Sequence, residues 1–317
     1  GMIEIAAVGE TGAHSLKLKV TKINGFDVEA PEAEGTLKIL AFLPVNRPLV
    51  EEYTGLWCGW CPRGYVALET MKERIGDLFI AVAFHGGDAM SVVKNTPNNV
   101  PGFPDAFINR SVELDPSYIY DAWYEFRNWI PDGDLDVAVE WTDESHSAIK
   151  ATATAVFPEN HTGADYRFSY ILVADGLTNS RWKQNNSYAG RTSAKGEMPG
   201  QLGDLFINGE SSVSGLTFND VAIAVTDYKG EAGSIPAEIE VSKEYSHSHI
   251  FNLDDVSVAA VKTVPEKMRV VAVLTEGATG KYVNCNSSAW MNGEAFAPVS
   301  GVEDVTTDGA AVEVARY

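Results

Sequence analysis

The pattern of apolar and polar positions changes character along the chain. Residues 15–23, SLKLKVTKI, read with period two: Leu16, Leu18 and Val20 on one face, Lys17 and Lys19 on the other. That predicts a half-buried strand. TLKILAF (36–42) predicts a second strand, reached through the polar, Pro- and Gly-containing EAPEAEG. Residues 1–40 are too short for a domain and read as edge strands or the remnant of a preceding β-module. LVEEY (49–53) then predicts a strand, and Pro62 to Ile75 predicts a helix, with Tyr65, Leu68, Met71 and Ile75 at helical spacing. LFIAVAF (78–84) is a nearly continuous apolar run, as in a strand buried on both faces of a parallel sheet. AFIN (106–109) is a short fourth strand. Asp115-Pro116 opens a helix, Asp as its cap and Pro in its first turn. Ile119, Trp123, Phe126 and Ile130 form its apolar stripe before Pro131 stops it. Together these elements predict an α/β unit over 41–131.

From about 133 the texture becomes all-β. DLDVAVEW places Leu135, Val137, Val139 and Trp141 on one face; KATATAVF does the same with Ala151, Ala153, Ala155 and Phe157. YRFSYILVA, DVAIAVT and MRVVAVLTE follow, without strong helix signals. Over 132–300 this predicts an antiparallel β-sandwich, Ig-like or jelly-roll-like. Residues 301–317 have little apolar density and read as a linker or truncated segment. The expected fold class is therefore α/β plus all-β.

Composition narrows the function more than the fold. The 317 residues are 45% apolar and 21% charged, ordinary for a globular protein. The formal charge of −20 repels phosphate backbones and argues against nucleic acid as a partner. No run reaches the ~18 apolar residues of a membrane helix. No signal peptide opens the sequence, and Gly1-Met2 has the look of a cloning scar, which leaves room for a removed export signal.

The chemistry concentrates in GLWCGWCPRG, Gly55 to Gly64. Cys58 and Cys61 fall between a predicted strand and a predicted helix, with Cys58 at or just before the helix N-terminus. Free N–H groups and the helix dipole favour an anion there, which makes Cys58 the expected nucleophile. Cys61, expected one turn inside, is the resolving thiol. Trp57 and Trp60 would flank the pair and offer a surface for docking a peptide. Glu52, six residues before Cys58, is positioned either to accept a proton from Cys61 or to end the strand in solvent. His85 and Asp88 follow the buried strand; His85 either tunes the thiolate or makes an ordinary loop hydrogen bond. Pro104, in VPGFPDAFIN, immediately precedes a strand, and a cis Phe103–Pro104 bond would free backbone groups beside the thiols for an extended substrate. The pair reads as a redox centre, a vestigial disulfide in an interaction scaffold, or half of a metal site. Zinc needs four ligands, or three plus water. With no second C-x-x-C and six scattered histidines, neither a metal nor another cofactor is expected. His247 and His249, in SHSHI, read as surface residues of a strand, with metal binding as the alternative. Cys285 reads as a small buried residue of the sandwich.

Strand, WCGWC, helix, hydrophobic strand, then G-x-P before another strand resembles the thioredoxin superfamily. The resemblance implies that Cys58 attacks, Cys61 resolves, Glu52 is the acid upstream, and Pro104 is a cis-proline facing the disulfide. Glu52 stands where the family usually has Asp. Trp60 stands where thioredoxin has Pro and isomerases have His, so the family's redox potentials do not transfer. EEYTGLWCGWCPRG, AFHGGDAM, GFPDAFINR, ILVADGL and KYVNC further resemble exported, outer-membrane-associated thioredoxin-like proteins of Gram-negative anaerobes, in which a thioredoxin domain precedes a β-sandwich. SGVEDV (300–305) resembles the lead-in to a type IX secretion sorting domain. These resemblances imply export to the periplasm, outer membrane or cell surface, with membrane association only through segments outside these residues.

Two functions follow as expectations. The first is an exported thiol–disulfide oxidoreductase that exchanges disulfides with protein or peptide thiols and relies on an unknown redox partner. The alternative is a cell-surface binding or scaffold protein whose β-sandwich engages a glycan or protein.

Overall fold

The computed structural model describes residues 10–29, 31–92, 100–294 and 312–314. The N-terminal strands are β1 (Gly12–Leu18), β2 (Lys22–Ile23), β3 (Phe26–Asp27) and β4 (Ala33–Ile39). The next stretch contributes β5 (Leu49–Thr54), α1 (Pro62–Ile75), β6 (Ile80–His85), β7 (Asp105–Ile108), β8 (Val112–Leu114) and α2 (Ile119–Phe126). The β-rich stretch holds β9 (Asp134–Trp141), β10 (Ala148–Val156), β11 (Tyr166–Ala174), β12 (Lys183–Asn185), α3 (Gly200–Ile207), β13 (Ser212–Ser214), β14 (Val221–Val225), β15 (Glu244–Asn252), β16 (Met268–Glu276) and β17 (Tyr282–Ser287). β18 (Val312–Val314) pairs with β4. The SGVEDV segment lies outside the described residues.

Local chemistry accounts for most of these boundaries. Pro62 occupies the first turn of α1, where a missing N–H costs nothing, and Gly76 ends the helix at φ 67°. Asp115 accepts a hydrogen bond from Ser117 N, but the turn it caps is 3₁₀, and α2 itself begins at Ile119. α2 also stops at Phe126, so Ile130 is not part of its stripe. β1 keeps the expected alternation without the expected burial: Leu16 is half-buried, and Leu18 and Val20 are exposed. Among the described residues β1 pairs with β4 alone, at the edge of the three-stranded sheet β1-β4-β18, and its apolar side chains find little to cover them.

The fold is mixed α/β, dominated by sheets. Its centre is an eight-stranded sheet ordered β17-β16-β11-β14-β6-β5-β7-β8. β6 runs parallel to both β5 and β14, and the other neighbours are antiparallel. The sheet does not respect the boundary expected at 131/132, because β14 of the β-rich stretch pairs directly with β6 at Val221↔Ala83. The join is held by buried charge. Asp220 receives Lys72 Nζ of α1 and Arg269 Nη2 of β16, both at 2.6 Å, and Arg269 is fully buried. One apolar cluster spans the join, with Tyr53, Val82 and Phe84 beside Ile171, Val173 and Val271.

A three-stranded antiparallel sheet, β15-β10-β9, packs on the β11–β16 end of the large sheet. Its inward residues are those the alternation predicts: Leu135 and Val137 from β9, and Ala151, Ala153 and Ala155 from β10. The second layer of this sandwich-like packing is thus shared with the α/β stretch rather than separate from it. The short helix α3 was not legible in the sequence; an apolar QLGDLFI following Pro199-Gly200 buries Phe206 and Ile207.

Candidate functional site

β5 and β6 are parallel, in register Glu52↔Ala83 and Thr54↔His85, so both chains leave the sheet at the same edge. From Thr54 the chain turns through Gly55–Trp60 and enters α1, which packs on the face carrying Val50, Ala81 and Ala83. Cys58 and Cys61 are joined in a disulfide, Cα–Cα 5.4 Å. Cys61, expected one turn inside α1, is its N-cap residue; Cys58 lies in the turn before it, its carbonyl accepting from Cys61 N at 3.3 Å. Cys61 is sealed from solvent and Cys58 is only 4% exposed.

Glu52 is fully buried beneath the first turn of α1. A Cβ at Gly64 would run into its carboxylate, so a glycine there lets helix and acid approach. Oε1 has no hydrogen-bond partner among the described residues. Burial pushes the Glu52 carboxyl up to about 8, a hydrogen bond from Thr54 offsetting only part of it. The solvated strand-end alternative therefore does not describe this residue.

The Phe103–Pro104 peptide is cis, and β7 begins at the next residue, pairing Asp105 with Tyr53. Phe103 stacks on Trp57 with ring centroids 5.6 Å apart, and Trp57 Nε1 donates to Gly86 O at 2.7 Å. Trp57 thus bridges the loops after β5 and β6 and the cis-proline loop while remaining half exposed. Trp60 turns the other way. Its ring meets Tyr188 edge-on at 5.2 Å and lies under the Arg191 guanidinium at 4.8 Å, so part of its surface is already occupied.

His85 and Asp88 are a bonded pair, Nδ1 to Oδ2 2.8 Å. Asp88 also accepts from Leu56 N and Met90 N. Although burial opposes it, these bonds hold the Asp88 carboxyl below its usual range. The pair therefore anchors the start of the cysteine loop, while His85 lines a small cavity with Glu52, Thr54, Tyr65, Gln184 and Phe218.

Sequence reasoning missed the residues that face the disulfide loop from the β-rich stretch: Gln184, Asn185, Ser187, Tyr188 and Arg191. KQNNSY has no periodicity or motif that announces a role. Gly59 and Gly64 carry the one usable signal, as glycines flanking the cysteines where other backbone or side chains come close.

The other candidates lie apart. Cys285 sits in β17, fully buried, its thiol directed at Arg47 O at 3.1 Å and pushed up to about 12 by burial. His247 and His249 on β15 both face Glu231, at 3.6 and 2.6 Å. Among the described residues no group of three or more His, Cys, Asp or Glu is arranged to hold a metal ion, and no helix is long and apolar enough to cross a membrane.

The chain matches no protein-family model, and no curated protein matches it. Among solved structures it is similar to HBP35 of Porphyromonas gingivalis, at 15% identity over 86% of each chain and a TM-score of 0.53. A structural-genomics protein of Agrobacterium tumefaciens matches at 14% identity, over 77% of this chain and 94% of that one, with a TM-score of 0.40. The first likeness is one of fold.

Proposed function

We propose that the chain is a thioredoxin-like thiol–disulfide oxidoreductase, exported by a Gram-negative cell, that exchanges disulfides with protein or peptide thiols. The observation that carries this reading is the disulfide at the start of α1, whose first turn sets Gly64, three residues after Cys61, against a buried Glu52 carboxyl raised to about 8. Cys58, the outer sulfur, attacks a substrate disulfide as thiolate; one substrate sulfur leaves as thiol and a mixed disulfide forms. Cys61 then attacks Cys58, restoring the internal disulfide and releasing the second substrate thiol. Glu52 in its ionised form takes the Cys61 proton, which a carboxyl near 8 can accept and return at neutral pH. Trp57, Phe103 and the backbone at Pro104 form the surface on which an extended substrate lies. The export half of the reading draws on the sequence resemblance and on the fold shared with a protein of a Gram-negative organism.

The low exposure of Cys58 favours a second reading, in which the disulfide braces a surface scaffold. Trapping separates the two. With the Cys61→Ser variant, a disulfide-bonded protein substrate should accumulate as a mixed disulfide on Cys58, and Cys58→Ser should trap nothing. A wild-type pair that turns over no disulfide reporter would leave the scaffold reading standing.

A further inference from the structure

A single segment of the β-rich stretch grips the cysteine loop along its length. Gln184 Nε2 donates to Gly55 O at 3.3 Å and to Cys58 O at 2.8 Å. Asn185 N reaches Leu56 O at 2.8 Å, and its side chain reaches Trp57 O at 2.8 Å. Ser187 N donates to Gly59 O at 2.7 Å. Every carbonyl from Gly55 through Gly59 is thus tied to residues 184–187. A Cβ on Gly59 would collide with the Ser187 hydroxyl, so the contact depends on glycine at that position. Beyond the loop, Trp60 packs on Tyr188, and Arg63 Nη1 of α1 donates to the Tyr188 hydroxyl at 3.2 Å.

The gripping segment is itself anchored. Buried Asn186 donates through its side chain to Phe206 O at 2.7 Å and Glu210 O at 2.8 Å, and its N–H bonds Ser211 O at 2.8 Å. Gln184 is 3% exposed. A buried amide that serves several carbonyls transmits the rigidity of this frame to the loop.

We propose that Gln184 and the segment it heads are a positioning element that sets how firmly Cys58 and Cys61 stay joined. Gln184 touches no sulfur; it acts through the Cys58 carbonyl. The proposal rests on the reading that the pair cycles between disulfide and dithiol. Reduction by dithiothreitol breaks the protein S–S bond and forms one within the reagent. Two electrons and two protons pass to Cys58 and Cys61, leaving a protein dithiol and cyclic oxidised dithiothreitol. The freed sulfurs must then move out of bonding range. A loop fixed at five consecutive carbonyls cannot widen, so the thiols stay at high effective concentration and the disulfide is favoured. Loosening the grip lets them part and makes reduction easier.

The test equilibrates the full chain in dithiothreitol redox buffers and counts free thiols by alkylation and mass shift. Gln184→Ala should lower the disulfide-to-dithiol constant about tenfold, about 30 mV for a two-electron couple. Gln184→Glu should lower it at least as far, because an ionised carboxylate only accepts hydrogen bonds. Exposed Asn185→Ala, which loses one bond and leaves the buried frame intact, should lower it about threefold and serves if the Gln184 variants do not fold. A pair that resists reduction in wild type and yields in the variants also supports the proposal. Equal constants in every folded variant, including resistance throughout, overturn it, as does a melting loss of equal size in oxidised and reduced forms with no change in the constant. A shifted constant without any exchange activity sinks the enzymatic reading alone, and exchange activity with an unshifted constant sinks only the positioning role.

Discussion

Glu51 and Glu52 are neighbours on β5, both buried, and point to opposite faces of the sheet. On one face Glu51 meets Arg110 Nε at 3.0 Å, and Arg110 goes on to donate to Tyr228 O of the β-rich stretch at 2.7 Å. On the other face Glu52 lies under α1, with an oxygen that no donor reaches among the described residues. One residue type, one strand and one depth thus produce a structural ion pair and a perturbed acid. The buried carboxylate that meets a guanidinium braces two parts of the fold. A buried carboxyl without a cation keeps its proton into the neutral range and is the better candidate for moving one.

Breaking the Glu51 side should have the largest effect. Arg110→Met removes the cation from a buried carboxylate, and urea denaturation should show a loss of about 3–5 kcal/mol. A loss below 1 kcal/mol would mean that Glu51 is not braced by charge.

Crowding the Glu52 side should cost less. Gly64→Ala puts a methyl group against the Glu52 carboxylate, and overpacking of this kind costs about 1–3 kcal/mol. In a Glu52→Ala background the cost should shrink, and a double-mutant cycle measures the difference. Additive effects would show that the acid does not occupy the space beneath Gly64.

At low pH Glu52→Gln should have the smallest effect of the three, and one that grows as pH rises. Between pH 4.5 and about 8 the unfolded chain has released this proton while the folded protein retains it. The folded state binds more protons across that window, so its stability falls as pH rises and levels off above about 8. Glu52→Gln removes this slope. Its melting temperature should exceed wild type by a few degrees at pH 8 and match it near pH 4, by calorimetry. Parallel profiles would place the Glu52 titration near its ordinary value.

Local patterns carried much of the molecule. Period two marked β9 and β10 and their inward residues, the spacing of Leu68 and Met71 marked α1, and the unbroken run after Leu78 marked a central strand. These are short-range consequences of side-chain direction and backbone preference, which hold wherever the chain folds. The C-x-x-C, the acid six residues upstream and the proline before β7 were visible for the same reason: their chemistry is written in residue type and spacing.

Whether β14 would seat beside β6 was not legible, because Lys72, Asp220 and Arg269 meet from three distant parts of the chain and none has a pattern that predicts the others. The opposite fates of Glu51 and Glu52 depend on which face receives Arg110 and which receives α1. The grip of residues 184–187 on the cysteine loop is made largely by backbone groups, which every sequence carries alike. By itself, the sequence determined the main strands, the helix α1 and the cysteine pair that precedes it. Only the tertiary structure decided what surrounds the pair, because burial, charge pairing and carbonyl–amide contacts between remote segments exist only after the chain has packed.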